Sequence, residues 1–359
     1  MSVSVKLLKH SATIRSQFRA YNTRARDELL RKVYAPFKSL KEGSPEYKSL
    51  AKSGKVWEEY HNPGDDRPYL AIQATMVKEL EEIDRWKQLL EYSNKKRVFT
   101  TALINKYAHQ SVGIEGNNLG TAQANTISVK LAKYVDGLLE HTTSSLADVL
   151  NLSLPLASTL LPTEDANETI ELRNHILVCK KLVEAALAPS DTTGLNETYV
   201  KELARGVLID TTSQDMIERM AWGKRTKIGE YRNLPIRVRS NNLRIFPYPA
   251  EVPALMGRFF EWRNESIKSK KLHPLLAAIH IMVHFTHIHP FLDGNGRVGR
   301  CILADHLIRN NLLPVVFQDL ERRNYLQMLS DAQDHNPEEL CELTLSTQLD
   351  MLRTFLETD

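Results

Sequence analysis

Most of the side chains in this sequence that could do chemistry together stand in one stretch of twelve residues, from His289 to Arg300. The stretch reads His-Pro-Phe-Leu-Asp-Gly-Asn-Gly-Arg-Val-Gly-Arg. Gly294 and Gly296 let several backbone N–H groups turn toward one point, and a helix that starts here adds the positive end of its dipole. Such a concavity suits a phosphate, and the guanidinium groups of Arg297 and Arg300 can pair with phosphate oxygens.

The same stretch also holds a proton acceptor and a metal ligand. Asp293 offers hard carboxylate oxygens, which suit a Mg²⁺ ion that bridges phosphates. His289 stands at the mouth of the loop, where its imidazole can take a proton from an incoming hydroxyl group. Together these groups predict a site for nucleotidyl or phosphoryl transfer.

Two apolar segments must position this loop. Residues from Leu272 to Ile288 are apolar almost all round and contain no helix breaker after Pro274, which predicts a buried helix that runs into the loop. Residues from Cys301 to Ile308 resume a helical periodicity, so the loop at 293–296 ends where a second helix begins. The predicted unit is therefore a helix, an anion-binding loop and a second helix.

The twelve residues resemble the signature of the Fic family, which is His-Pro-Phe-x-(Asp/Glu)-Gly-Asn-(Gly/Lys)-Arg followed by a further arginine. The resemblance implies a Mg²⁺-dependent protein adenylyltransferase (AMPylase), which transfers AMP from ATP to a Ser, Thr or Tyr hydroxyl group of a target protein. By position, His289 resembles the general base, Asp293 the metal ligand and Arg297 the ligand of the terminal phosphate. The other nucleotide-binding residues that the resemblance implies are Gly294 and Gly296 of the anion hole, Asn295 as a phosphate contact, Arg300 as the second arginine, and Tyr325 on a downstream helix beside the adenine.

A second motif lies upstream, at the end of a helix predicted through 101–110. The segment from Ser111 to Gly116 resembles the family's inhibitory motif, (Ser/Thr)-x-x-x-Glu-(Gly/Asn). Its position resembles the subclass with an N-terminal inhibitor, which implies that Ser111, Glu115 and Gly116 inhibit the enzyme from within the same chain. Glu115 is expected to pair with Arg297 and so to occupy the place of the terminal phosphate of ATP. A carboxylate held there could also orient water and support removal of AMP from a modified target.

Between Gly229 and Pro249 the sequence alternates apolar and polar residues around a turn-like Ser-Asn-Asn, which predicts a β-hairpin. The hairpin resembles the flap of the Fic family, whose edge pairs with the backbone of the target and lays its hydroxyl residue against the catalytic histidine. The apolar flap residues are Ile236, Val238, Leu243 and Ile245. The alternative is a structural arm or an oligomer contact.

Most other segments have helical periodicity, so we expect a mainly α fold, namely a Fic-type helical bundle with a small β-hairpin flap and an N-terminal helical extension. Residues 1–98 are assigned to the extension, 99–125 to the inhibitory helix and the loop after it, and 126–359 to the Fic catalytic domain, with the flap at about 229–249 and the motif at 289–300. Within these parts a single helix is predicted from Tyr69 to Leu90, and Asn196 is predicted to cap another helix.

Two other interpretations of the catalytic stretch are weaker. Gly294-x-Gly296-x-x-Gly299 also fits the dinucleotide-binding pattern, but that pattern needs a preceding strand where this sequence predicts a helix. The histidines at 280, 284, 287 and 289 are crowded, and the first two have the spacing of zinc ligands on a helix. No glutamate follows His280 as the HExxH pattern requires, so we expect packed core histidines.

The composition narrows the class of protein. The 359 residues include 47 basic and 44 acidic side chains, and the net charge of +3 argues against a dedicated nucleic-acid binder. Three scattered cysteines suit a reducing compartment, and neither a signal peptide nor a membrane span is predicted. We therefore expect a cytoplasmic protein without membrane or nucleic-acid partners. The family resemblance adds the expectation of a homodimer.

The expected function is thus a Mg²⁺- and ATP-dependent protein adenylyltransferase that Glu115 holds inactive. Hydrolytic removal of AMP, alone or beside the forward reaction, stays open because both directions would use His289 and Asp293. A nucleotide-sensing binding module is a further alternative, although binding alone does not need a base. A nicotinamide-dependent dehydrogenase ranks third, and the nucleotide donor stays open among ATP, CTP, GTP and UTP.

Overall fold

The computed structural model of the chain describes residues 24–93, 95–138, 145–188, 194–219, 225–238, 241–318 and 320–357. These residues are mostly helical and include no strand, which confirms the predicted mainly α fold. The first part of the chain forms α1 at 24–33, a 3₁₀ helix at Ala35–Ser39, α2 (Pro45–Ser53), α3 (Lys55–His61), α4 (Arg67–Thr75), α5 (Val77–Tyr92), α6 (Lys96–Gly113), α7 (Thr121–Leu138), α8 (Leu146–Leu150) and α9 (Ala157–Leu160). The second part forms α10 (Ala166–Leu187), α11 (Glu197–Gly206), α12 (Thr212–Arg219), α13 (Val252–Ser269), α14 (Pro274–Ile288), α15 (Asn295–Arg309), α16 (Arg322–Gln333) and α17 (Glu338–Glu357). Across these described ranges, none of the helices has both the length and the apolar content that crossing a lipid bilayer requires.

Helices α14 and α15 form the centre of the fold and flank the catalytic stretch. Every residue of α14 after Pro274 is buried, and so is α15 from Val298 to Ile308. Because α14 is apolar all round, it needs cover on every side, which explains its central place. The two helices approach closely at Gly299, where a Cβ atom would lie 2.7 Å from the Thr286 side chain. The predicted helix, loop and helix unit is therefore part of the core.

Helix α10 packs against both α6 and α15 and so links the upstream motif to the catalytic stretch. Helix α6 ends at Gly113, and Gly116 follows with φ 102°, a conformation that favours glycine. This turn directs the chain from α6 across the start of α15. Farther along, the Asn196 side chain accepts a hydrogen bond from the Tyr199 N–H at 2.9 Å, as predicted for the cap of α11.

The N-terminal helices lie against the rest of the chain. The single helix predicted from Tyr69 to Leu90 is wrong, because α4 ends at Thr75 and α5 begins at Val77. Met76 between them has φ −104° and ψ 29°, which lie outside helical values. The break lets α4 pack on α14 while α5 packs along α17.

The predicted β-hairpin of the flap is also wrong for the residues that the structure describes. No strand forms at 229–238 or at 241–249. Arg26 of α1 donates hydrogen bonds to the carbonyl oxygens of Asn242 and Arg244, at 2.9 and 2.8 Å. A side chain thus satisfies backbone groups that a hairpin ladder would pair, and two strands alone are only marginally stable.

Further contacts fix residues 241–249, here called the arm, to the fold. Trp57 of α3 donates from Nε1 to the carbonyl oxygen of Ile245 at 2.9 Å, and both side chains are buried. The Arg244 guanidinium group pairs with the Asp334 carboxylate at 2.7 Å. The alternating sequence therefore belongs to an irregular segment that has one buried side.

Candidate active site

His289 ends α14 in a left-handed conformation, with φ 53° and ψ 61°. Its Nδ1 lies 3.1 Å from the carbonyl oxygen of Thr286. Because a carbonyl oxygen can only accept, Nδ1 carries the proton and Nε2 keeps its lone pair. Burial, aided by the charge of Arg232, lowers the pKa of the imidazole to about 4. His289 is therefore neutral at pH 7 and can act as a base through Nε2.

Arg232 and Phe246 hold this histidine in place, and sequence reasoning missed both. Arg232 is buried and donates from Nε to the carbonyl oxygen of His289 at 2.8 Å and from Nη2 to that of Pro247 at 2.6 Å. The Phe246 ring packs on the imidazole with 4.6 Å between ring centroids. The arm is therefore connected directly to the candidate base, although no spacing in the sequence signals these contacts.

The loop after the histidine closes on itself through Asn295. The side-chain amide accepts a hydrogen bond from the Phe291 N–H and donates one to the Phe291 carbonyl oxygen, both at 2.9 Å. The residue is 2% exposed and its amide shapes the loop, while the predicted phosphate contact of Asn295 stays a prediction. Gly294 has φ 81°, and a Cβ atom there would lie 3.0 Å from the Val207 side chain. Both constraints favour glycine at this turn.

Glu115 lies directly against the start of α15. A Cβ atom on Gly296 would stand only 2.5 Å from Glu115 Oε1. The same oxygen accepts a hydrogen bond from Arg300 Nη2 at 2.8 Å. The carboxylate therefore occupies the concavity that the sequence predicts for a phosphate.

The structure corrects the predicted partner of Glu115, which is Arg300 and not Arg297. Arg297 instead lies 3.6 Å from the Asp293 carboxylate and donates to the carbonyl oxygen of Val207 at 3.4 Å. The two arginines stand three positions apart on α15, so they reach different neighbours. Only Arg300 faces α6, and the spacing of the two arginines alone could not predict which of them does so.

Arg300 is held by α6 as well as by the carboxylate. Its Nε donates to Ser111 Oγ and its Nη2 to the Ser111 carbonyl oxygen, both at 2.7 Å. Its Nη1 is buried, lies 3.3 Å from the place of a Cβ atom on Gly296, and has no acceptor among the described residues. Burial raises the pKa of the Glu115 carboxyl group, but the charge of Arg300 and its neighbours lowers it more, so the net pKa lies below its usual value. The pair is therefore ionised at pH 7 and leaves one donor open beside the loop.

A third guanidinium group reaches the carboxylate from α16. Arg322 donates to the backbone carbonyl oxygen of Glu115, and its Nη2 lies 3.8 Å from Oε2. Sequence reasoning missed this residue. Arg322 and Arg323 open α16, where basic side chains oppose the helix dipole. Two arginines at this unfavourable place are the signal by which an anion site could have been found.

Tyr325 lies behind Arg300 and is 1% exposed. The Arg300 Cζ atom lies 5.5 Å from the centre of the tyrosine ring, which is a cation–π contact. The hydroxyl group contacts the Met282 sulfur at 3.8 Å. With no exposed ring face, a place beside an adenine would require Arg300 to move, and that role stays a prediction.

Asp293 presents a carboxylate that is 45% exposed. Its oxygens accept hydrogen bonds from the Ser213 hydroxyl group at 2.7 Å and from the Gly294 N–H at 2.6 Å. Burial raises the pKa of Asp293, but Arg297 and these donors lower it more, so the group is ionised at pH 7. A carboxylate has about four acceptor positions, so two hydrogen bonds leave room for a cation. The donor type and the exposure fit Mg²⁺.

These groups line one cleft with a volume of about 1320 Å³. Its described lining contains six arginines, which are Arg237, Arg244, Arg297, Arg300, Arg322 and Arg323. The carboxylates of Glu115 and Asp293 line the same cleft. Arg244 is paired with Asp334, but the other five arginines still outnumber the two carboxylates, which favours a polyanionic ligand such as a nucleoside triphosphate.

The four predicted flap residues divide into two groups. Ile236 and Val238 line the cleft and are partly exposed. Leu243 is 42% exposed and Ile245 is 1% exposed, and neither lines the cleft. Only the first half of the predicted flap is therefore placed to meet a partner in the cleft.

The crowded histidines of α14 are packed into the core. The His280 ring stacks on Tyr69 with 4.1 Å between centroids, and its Nε2 lies 3.0 Å from the carbonyl oxygen of Pro63. His284 packs against Trp262, and His287 packs edge-on against aromatic neighbours from α3. These aromatic contacts pack the three rings into the core.

Comparison with known proteins identifies the domain that carries this site. The model of the Fic/DOC family matches residues 194–307, which include the whole catalytic stretch. Residues 194–307 therefore match a Fic/DOC domain. The dinucleotide-binding interpretation is thereby set aside, and a helix rather than a strand precedes the glycines.

Similar curated proteins are named protein adenylyltransferase Fic. The one from Culex quinquefasciatus is 28% identical over 240 residues, which are 67% of this chain and 39% of that protein. The one from Drosophila melanogaster is 28% identical over 236 residues, which are 64% of this chain and 37% of that protein. The chain therefore spans less than two fifths of the length of the curated relatives it matches.

Solved structures share the fold. Fic-1 (residues 134–508) from C. elegans superposes with a TM-score of 0.59 at 17% identity, over 94% of this chain and 96% of that chain. A Fic-domain signaling protein from Bacteroides thetaiotaomicron gives a TM-score of 0.51 at 19% identity, over 78% of this chain and 92% of that chain. The predicted Fic-type helical fold is confirmed.

Proposed function

We propose that this chain is a protein adenylyltransferase, which transfers AMP from ATP to a hydroxyl side chain of a target protein. The observation that carries the proposal is the neutral imidazole of His289, which lines one cleft together with the anion loop and two buried arginines. A base next to a phosphate site suits transfer to a hydroxyl group. The names of the relatives support the same reaction class.

In the proposed reaction, the hydroxyl oxygen of a target Ser, Thr or Tyr attacks the α-phosphorus of ATP. His289 Nε2 takes the hydroxyl proton as the new P–O bond forms. The bond from the α-phosphorus to the bridging oxygen breaks, and pyrophosphate leaves with that electron pair. The products are the AMP-modified target and pyrophosphate, and the imidazolium returns its proton to solvent.

The phosphates of ATP would lie on the anion loop. Backbone N–H groups at the start of α15 and the open Nη1 of Arg300 offer donors there. Arg297 lines the same cleft and would take the terminal phosphate, as the family resemblance implies. Ser213 and the Gly294 N–H hold the Asp293 carboxylate, which would bind Mg²⁺. When bound, Mg²⁺ neutralises phosphate charge.

Glu115 would keep the enzyme inactive, because its carboxylate and a phosphate compete for one place. Oε1 lies against Gly296 and on Arg300 Nη2, so a phosphate can bind there only after the carboxylate moves. The hydrogen bond from Arg322 to the backbone carbonyl oxygen of Glu115 also keeps this residue in place. Activation would therefore require the Glu115 carboxylate to leave the anion loop.

The second candidate function is hydrolytic removal of AMP from a modified target. The observation in its favour is the ionised Glu115, which two arginines hold beside the anion loop where it could orient a water molecule. The two reactions respond oppositely to Glu115→Gly, since transfer should rise while hydrolysis is lost. A binding module would keep its biological effect in His289→Ala, whereas both enzymatic candidates would lose it.

Intact-mass spectrometry of the chain tests the proposal. Glu115→Gly is incubated with Mg²⁺ and, in separate reactions, with ATP, CTP, GTP or UTP, and mass addition of one nucleoside monophosphate is measured on the chain and on added lysate proteins. We expect AMP addition from ATP in this variant and none in Glu115→Gly with His289→Ala. A folded Glu115→Gly variant that binds ATP but adds no nucleotide to any protein would overturn the transfer reaction.

A further inference from the structure

A second cluster of chemically active side chains lies behind the arginine site. His175 and Cys179 stand four positions apart on one face of α10, and Cys301 stands on α15 directly after Arg300. The imidazole and the two thiol groups each offer a ligand atom, and these atoms all lie within 4.8 Å of one another. The function proposed above uses none of the three side chains.

The environment of the cluster is unusual for a polar group. His175 and Cys301 are 0% exposed, and Cys179 is 2% exposed. Both ring nitrogens of His175 are buried and have no hydrogen-bond partner among the described residues. Leaving a buried polar atom unpaired is costly, so such groups usually have a partner. The imidazole faces two thiol groups, which are the natural co-ligands of a metal ion.

We propose that His175, Cys179 and Cys301 bind a thiophilic d¹⁰ cation, either Zn²⁺ or Cu⁺. Thiolate sulfur and imidazole nitrogen are preferred ligands of both ions. Bond lengths of about 2.3 Å to sulfur and 2.0 Å to nitrogen place ligand atoms about 3.5–3.8 Å apart. The ligand atoms now lie within 4.8 Å of one another, so the cluster must contract by about 1.3 Å at most. Binding releases one proton from each thiol group, and no electron is transferred.

The charge balance of the cluster agrees with this occupant. Two thiolates neutralise Zn²⁺ and leave a net charge of −1 with Cu⁺, so neither complex adds positive charge next to Arg300. Three protein ligands suffice for Cu⁺ and leave Zn²⁺ one further position. Because the cluster is buried, the ion would enter while the chain folds. A bound ion would join α10 to α15 directly behind the residue that holds Glu115.

The third cysteine supplies a matched control. Cys341 lies on α17, is 0% exposed, and stands outside the cluster. A serine at this position tests whether the loss of any buried thiol group has the same effect. The full-length chain is expressed in minimal medium supplemented with Zn²⁺, Co²⁺ as a spectroscopic probe, or copper, and the metal content of the desalted protein is measured by mass spectrometry.

We expect about one Zn²⁺ or one copper ion per chain in the wild type and in Cys341→Ser, and less than about a tenth in Cys179→Ser, Cys301→Ser and His175→Gln. Preference between the zinc and copper arms identifies the ion. The Co²⁺-loaded wild type should show thiolate-to-metal charge-transfer absorption, which needs no variant to fold. A folded wild type without metal in all three media would overturn the proposal. So would equal metal content in the cluster variants and the control, or a Cys179–Cys301 disulfide in peptide maps of the purified protein.

Discussion

Replacement of Glu115 by Gln should tighten ATP binding, because it removes the charge that competes with the phosphates. Glu115 Oε1 lies 2.8 Å from Arg300 Nη2, and the two side chains are 29% and 2% exposed. A hydrogen bond to a charged group contributes about 1.5–3 kcal/mol when buried, and an exposed ion pair contributes about 0–1 kcal/mol. For this partly exposed pair we take about 2 kcal/mol, which corresponds to up to about 30-fold in affinity.

Isothermal titration calorimetry with ATP and Mg²⁺ measures this difference in Kd. Ser111 still makes two hydrogen bonds to Arg300, so the guanidinium group should keep its place in the variant. Glu184→Gln is the matched control, because Glu184 forms an ion pair with Lys181 at the same 2.8 Å but is 59% exposed and far along α10. An unchanged Kd in Glu115→Gln, equal to that of the control, would refute competition between this carboxylate and the phosphates.

Three further predictions concern the loop, the arm and the buried histidines. Asn295→Ala should lower the free energy of unfolding, measured in urea, by about 3 kcal/mol, because the buried N–H and carbonyl groups of Phe291 lose their partner. An unchanged urea midpoint would show that the Asn295 side chain does not close the loop. Arg26→Ala removes two hydrogen bonds to the arm, so it should slow modification of a target protein without changing the Kd for ATP. Arg31→Ala, at an exposed arginine on the same helix, should change neither quantity. Equal effects of the two substitutions would show that the arm does not position the target. Stability should fall as the pH drops from 6.5 toward 4, because burial lowers the pKa of His306 to about 3 and the unfolded chain therefore takes up the proton first. The loss is about 3 kcal/mol at pH 4 for this histidine. Other buried histidines such as His289 add their own loss, so His306→Gln should make the pH profile of the free energy of unfolding less steep without removing it. An equally steep profile in that variant would show that His306 does not contribute.

The sequence was sufficient to predict the local parts of the site. The run from Leu272 to Ile288 is apolar all round, which predicts a buried helix. The glycines at 294 and 296 follow it and mark a loop before the next helical periodicity begins. Both helices and the loop therefore follow from the sequence pattern alone. The cap at Asn196 is equally local. These features depend on residues close together in the chain, where periodicity and turn chemistry decide the outcome.

The errors concern contacts between distant parts of the chain. Whether Glu115 pairs with Arg297 or with Arg300 depends on the angle at which α6 crosses α15. The residue spacing within each of the two motifs does not determine this crossing angle. The arm fails to form a hairpin because Arg26 and Trp57, about two hundred positions away, donate to its carbonyl oxygens. Arrangements of this kind are decided by the packing of the whole fold.

The most direct test of the central claim measures transfer of label from α-labelled ATP with Mg²⁺ in three proteins, which are the wild type, Glu115→Gly, and Glu115→Gly combined with His289→Ala. We expect little labelled protein with the wild type, strong labelling of the chain or of lysate proteins with the single variant, and none with the double variant. Labelling that persists without His289, or that is absent from a folded, ATP-binding Glu115→Gly variant, would show that His289 and Glu115 do not have the proposed roles.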